Sequence, residues 1–113
     1  MNVRNIEQPA RGLLNDAKTP YRWKSDDIIA GVDEGEALLV GERPELVLSD
    51  ENTIGTRTSP TTLTSNLTVP DRFKPALIQY VVYFCLQFRA EDKAERENAA
   101  VHLAEFERLV KIL

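Results

Sequence analysis

"VPDRFKPALIQYVVYFCLQFRAED", residues Val69 to Asp92, decides how this chain folds. Between Ala76 and Phe88 only Gln79 and Gln87 are clearly polar. A run of that length is too short to cross a bilayer, yet too apolar for one face of an ordinary surface helix. Pro70 to Pro75 supplies its start. Asp71 can cap or serve the first turn, and Pro75 is tolerated only near a helix N-terminus, where its missing N–H has no partner to lose. Phe73, Leu77, Val81, Phe84 and Phe88 define one stripe; Ile78, Val82, Cys85 and Leu86 widen it past half the circumference. Such a helix has to be central, with Val81 and Phe84 almost wholly buried. Other helices or a neighbouring subunit must cover the rest.

Working outward, the segment from about Asp92 carries Ala99, Ala100, Leu103, Phe106, Leu109 and Val110 at helical spacing. Asp92–Arg96 and Glu107–Lys111 offer favourable i,i+4 pairs on its surface. On the other side, Leu46 to Val69 changes character: ten of its 24 residues are Ser or Thr, so few helix formers remain. "LTSNLTV" alternates Leu63, Ser65, Leu67 and Val69 with Thr64, Asn66 and Thr68, the period of a strand. The segment is expected to be a long hairpin-like arm, mobile in a free subunit and ordered in an assembly. Upstream, Ser25 is the expected N-cap of a helix reaching about Val40, with Asp26 and Asp27 in its first turn. Ile28, Ile29, Val32, Glu36 and Leu39 lie on one side of it, and Glu36 stands where an apolar group is wanted. Arg43 before Pro44 ends that helix. Val3, Ile6, Ala10, Leu13, Leu14 and Ala17 space a first helix, although Pro9 and Gly12 allow a proper start as late as Pro9. Asn15-Asp16 and Thr19-Pro20 punctuate it. The expected class is mainly α: a four-helix bundle, one domain over 1–113, with an extended insertion over 46–69 between the second and third helices.

The totals narrow the function. With 113 residues, net charge −4 and a pI near 5.0, the chain lacks the clustered Lys and Arg of a general nucleic-acid binder. The first thirty residues contain no uninterrupted apolar core of a signal peptide, and no window is long enough for a transmembrane helix, so no membrane is expected. Cys85 is alone within the apolar run and reads as a small buried hydrophobe. Asn66-Leu67-Thr68 matches a glycosylation sequon only by chance in a chain without a secretory signal.

Catalytic chemistry finds no footing. One His and one Cys, 17 positions apart, do not make a metal site. His102 reads as a surface or boundary residue. Asp26, Asp27, Asp33, Glu34 and Glu36 read as a solvated face, since paired carboxylates need a pocket that separates their pKa values. "GVDEGEALL" lacks the Lys-Ser/Thr ending of a phosphate loop and the alternating ligands of a calcium loop. No nucleophile–base arrangement is in view. An enzyme, a cofactor and a metal are therefore not expected. Trp23, between Arg22 and Lys24 and near Tyr21, is the one basic–aromatic cluster; it could stack on a base, but reads better as a core anchor at a helix junction.

With the helices placed, the chain resembles the head–tail adaptor (connector, or head-completion) proteins of tailed bacteriophages. "LLNDAKTPYRWKSDDIIAGVDEG" is similar to their first helix, leucine–x–Asp element, Arg-Trp turn and acidic second helix. "RPEL" resembles the Arg-Pro exit from that helix. "VPDRFKPALIQYVVYFCLQFRAED…NAAVHLAEFERLV" resembles the Pro-led third helix with its Leu–x–x–Tyr centre, followed by an Ala-rich fourth helix with a late Phe106.

The resemblance implies a structural virion protein at the neck, the head–tail interface, assembled in the host cytoplasm. A homo-oligomeric ring, a dodecamer to match the portal protein, would extend the DNA ejection channel and dock further tail or nozzle proteins. DNA would be passing cargo only, and a net negative conduit suits cargo that must slide. The expected portal contact is the basic–apolar end Arg108, Lys111, Ile112 and Leu113. The expected contact of the arm with a neighbouring subunit or the tail is Leu48, Ile54, Leu63, Leu67 and Val69, one apolar edge suited to strand addition. The alternative, from another class, is a small helical regulatory or protein-binding module.

Overall fold

The computed structural model describes residues 1–47, 57–90 and 93–113. Among these the fold is mainly α, with helices α1 (Val3–Leu13), α2 (Ser25–Glu42), α3 (Lys74–Phe88) and α4 (Lys93–Ile112). Short 3-10 turns, Pro44–Val47 and Asp71–Phe73, follow α2 and precede α3. No helix among the described residues is long and apolar enough to cross a membrane.

α3 is the centre. It packs against α1, α2 and α4, while α1 and α2 touch each other only lightly. Val81 is fully buried and Phe84 is 5% exposed, as the stripe requires. Ile78 and Tyr83 are partly buried against the core, and Phe88, at the last turn, is 49% exposed. The chain's own helices thus cover nearly all of α3. What is left for anything else is its C-terminal end and, near its start, exposed Pro75 with half-buried Ile78.

α1 starts at Val3 rather than Pro9. Asn2 and Asn5 cap it reciprocally: the Asn2 side chain accepts from the Asn5 amide at 3.1 Å, and the Asn5 side chain accepts from the Asn2 amide at 2.8 Å. Pro9 lies inside the helix. The carbonyl it leaves unbonded belongs to exposed Asn5, where water can take it. α2 begins with Ser25 as its first helical residue, so the cap falls one position earlier than the sequence indicates. There Asp27 accepts from the Lys24 amide at 3.2 Å.

The glycines of α2 find their reason in packing. A Cβ on Gly35 would lie 2.9 Å from Tyr80 Cδ1, and one on Gly31 would lie 3.2 Å from Phe84 Cδ1. Spaced by four, they form a shallow trough into which two aromatic rings of α3 settle. Tyr80 then meets Phe106 of α4 edge to face, with centroids 4.9 Å apart.

The expected hairpin does not form among the described residues. Residues 57–69 hold one antiparallel bridge, between Asn2 and Asn66. Leu63 and Ser65 carbonyls accept from the Arg4 and Val3 amides, at 2.8 and 3.2 Å, and the Leu67 amide donates to the Met1 carbonyl at 3.0 Å. The alternating residues therefore pair with the entry to α1 instead of a sister strand, and the orphan donors of a helix N-terminus take their carbonyls. This part of the arm is fastened within a single chain.

Candidate functional site

Among the described residues, two ionic clamps and two surface grooves carry chemistry. The first clamp builds the α1–α2 joint. Asn15 follows α1 in the left-handed region, φ 55°. Its amide bonds the Gly12 carbonyl at 3.2 Å, and the Asp16 amide bonds the Arg11 carbonyl at 2.8 Å, the two bonds of a Schellman motif. That turn aims the Asp16 carboxylate at the incoming strand of chain. It accepts from the amides of Arg22 at 2.7 Å and Trp23 at 3.1 Å. Arg11, 3% exposed, donates to Glu7 at 3.1 Å, Asp16 at 2.8 Å and the Trp23 carbonyl at 2.7 Å. Its guanidinium also lies 3.9 Å from the ring centre of Tyr21. Trp23 is 3% exposed, the core anchor that its position indicates.

The second clamp corrects the reading of the acidic face. Glu36 is fully buried, not solvated. It accepts from Arg57 Nη1 at 3.2 Å and from the amides of Thr68 and Val69 at 2.7 and 3.3 Å. Arg57 also pairs with Asp33 at 2.6 Å. Burial alone would lower the Arg57 pKa, but its bonds to Asp33 and Glu36 outweigh that and raise it. Next to them Glu34 accepts the Tyr80 hydroxyl at 2.7 Å, and burial with that carboxylate pushes the phenol well above its usual range. Asp33, Glu34 and Glu36 are thus structural ligands for the chain itself. Position 36, where the apolar stripe breaks, is the signal that pointed there; Arg57, on the far side of the segment, carried no such signal.

Burial pushes the Cys85 thiol up to about 12. Burial also lowers His102, whose Nδ1 lies 2.7 Å from Gln79 Oε1, joining α4 to α3. Among the described residues no group of three His, Cys, Asp or Glu is placed to hold a metal ion.

The grooves flank α4. One, of about 270 Å³, lies between the C-terminal halves of α2 and α4, with Leu38, Phe106 and Val110 as apolar lining and Glu42, Glu107 and Lys111 among its polar residues. The other, wider and shallower, runs between α1, α3 and α4 past Leu13, Pro75, Ile78 and Leu109. Leu13 and Leu38 are 53% and 44% exposed, so both grooves offer apolar surface to a partner.

No family model, curated protein or solved structure matches this chain.

Of the expected portal contact, Arg108 is exposed and bonds Glu105 three residues earlier at 2.9 Å. Lys111 lines the first groove, and Ile112 is 63% exposed. Leu113 is half-buried against the core. The surface pair expected between Glu107 and Lys111 is not formed. Of the expected arm contacts, Leu63 and Leu67 pack partly against the core, and Val69 is only 3% exposed. Val69 is core, because its amide and that of Thr68 are drawn inward by Glu36. Leu48, Ile54 and Asp92 lie outside the described residues.

Proposed function

We propose that the chain is a head–tail adaptor of a tailed bacteriophage: a four-helix bundle with an extended insertion after its second helix. In this reading it forms a ring, dodecameric to match the portal protein, at the neck of the virion. The ring lengthens the DNA channel and presents a docking surface to the next tail or nozzle protein. Its net charge of −4 suits a wall past which DNA slides without counterion-release affinity.

One observation carries the reading: the pieces of sequence that resemble the family are the joints of this fold. The Asn15-Asp16 element and the Arg22-Trp23 turn meet in the Arg11 clamp. At the Arg-Pro exit, Arg43 bonds Glu45 at 2.6 Å and the Val110 carbonyl of α4 at 3.3 Å. It also lies 5.5 Å from the ring centre of Phe73 at the entrance to α3. The Leu77–Tyr80 centre of α3 is the part seated on the α2 glycines and against Phe106. Four motifs that set the connections of one architecture would be an odd coincidence in an unrelated small helical module.

The test is capture. Portal rings incubated with the full chain should co-sediment it, and micrographs should show an added tier beneath the portal. A chain that stays monomeric and ignores the portal would leave the small protein-binding module as the better reading.

A further inference from the structure

The loop between α1 and α2 and the groove between α2 and α4 fit each other in chemistry but cannot meet within one molecule. Tyr21 is 43% exposed, with Arg11 stacked on its ring, and Lys18 and Lys24 are exposed on either side of it. The loop is rigid, since Asp16 holds the amides of Arg22 and Trp23 and the Trp23 side chain is buried. A tyrosine on a pre-ordered loop loses little freedom on docking and belongs to the residue types that dominate interface energy. The groove offers Leu38, Phe106 and Val110, and two exposed acids, Glu42 and Glu107. Neither those acids nor Lys18 and Lys24 form an ion pair with any described residue. A volume of about 270 Å³ lies just below the usual range of small-molecule pockets, the size for one inserted ring. The loop precedes Ser25 at the start of α2, whereas Leu38 and Glu42 are in its last turns. At 1.5 Å per residue that is roughly 20–25 Å along the helix. The loop cannot reach its own groove.

We infer that copies of this chain associate head to tail, Tyr21 of one entering the α2–α4 groove of the next with Lys18 and Lys24 facing Glu42 and Glu107. The inference rests on the ring reading above and names the surfaces that would make the ring. Two unlike surfaces at opposite ends of one helix make a heterologous contact, which closes into a ring or runs on as a filament. Its charges are exposed, so association weakens with salt. Lys111 also lines the groove and carries the loop's own sign, so Lys111→Gln tightens the contact.

The experiment is sedimentation velocity on the full chain at the highest soluble concentration and low salt. Wild type should form species larger than a dimer, while Tyr21→Ser and Leu38→Glu should each remain monomers with unchanged circular dichroism. An equimolar mixture of the two variants should give a dimer and stop there, because one intact contact remains and both free ends are dead. A two-fold dimer in which each loop enters the other's groove would keep one contact in this mixture too, so the wild-type size, above a dimer, is what sets the head-to-tail contact apart. The double variants Lys18→Glu/Lys24→Glu and Glu42→Lys/Glu107→Lys, each monomeric alone, should co-assemble in alternation beyond a dimer when mixed, because both of their contacts are then complementary; this covers the case in which a first variant fails to fold. Wild type monomeric throughout, either single variant assembling like wild type, or mixtures that stay monomeric would overturn the inference. Portal rings separate it from the adaptor reading. Tyr21→Ser captured at wild-type occupancy rejects this contact and leaves the adaptor standing; wild type left uncaptured rejects the adaptor, and the mixtures still judge the contact.

Discussion

At Asn15 the backbone turns left-handed, φ 55°, to let the Asp16 and Asn15 amides close α1. An L side chain with a β-carbon resists that region, and Asn resists it least after Gly. Asn15→Ala should therefore lower stability by about 1 kcal/mol, and Asn15→Gly should hold or slightly raise it, read by urea unfolding. Glu36 is a harsher case. Removing its carboxylate leaves the Arg57 guanidinium, 16% exposed, with Asp33 alone, and strands two backbone donors. Breaking a buried pair from one side costs about 3–5 kcal/mol, so Glu36→Ala should approach the stability of the whole domain. Faster amide exchange at Thr68 and Val69 should accompany it. A change under about 1 kcal/mol with unaltered exchange would mean that the clamp is not what holds residues 57–69 down.

Among the elements, α2 sits on α3 through Gly31 and Gly35, and these two glycines can be tested against a third. Gly35→Ala places a methyl 2.9 Å from the Tyr80 ring, which is itself wedged against Phe106. Overpacking of this kind costs about 1–3 kcal/mol, more than the gain in helix propensity returns. Gly41, in the same helix, has open space for 4 Å around the place a methyl would take, so Gly41→Ala should add about 0.5–1 kcal/mol. Opposite signs in thermal melts are the expected result; equal signs would show that α2 does not sit against α3 as described. Phe84→Ala, at the other glycine, should cost about 3–5 kcal/mol through transfer and cavity terms.

On the scale of the whole molecule, pH and the C-terminal end report on assembly of the helices. Burial depresses His102 below its ordinary value of 6.5. The folded chain therefore resists a proton that the unfolded chain accepts, and stability falls as pH drops below about 6.5. Above that pH both states hold neutral histidine and the residue contributes no slope. His102→Gln should flatten the dependence between pH 6.5 and the depressed value, measured as urea midpoints across that range. At the end of α4, Leu113 continues the helix through a 2.9 Å bond to the Leu109 carbonyl and packs partly on the core. Deleting Lys111 to Leu113 should leave the circular dichroism of a folded chain but lower co-sedimentation with portal rings. Unchanged co-sedimentation would move the anchor to another surface, and a lost helical signal would assign the end to the core.

Four helices, their order and the central place of α3 are legible in the residues before any folding is known. They follow from local periodicity, from Pro70 to Pro75 and Arg43-Pro44 as boundaries, and from a stripe too wide for a surface helix. The same patterns place Trp23 and Cys85 in the interior and mark Glu36 as out of register. What Glu36 is for emerges only in the fold, because Arg57 and the Thr68 amide are 21 and 32 residues away and no spacing rule links them. Folding also fastens the Ser/Thr-rich segment to the entry of α1, where helix-end donors outbid a second strand. It makes Val69 core, and it turns glycines that look like weak points of α2 into the seat of Tyr80 and Phe84. Helices can be read from one chain segment at a time because their hydrogen bonds are local. Clamps, seats and grooves are made by residues far apart in sequence, so only the folded chain brings them together.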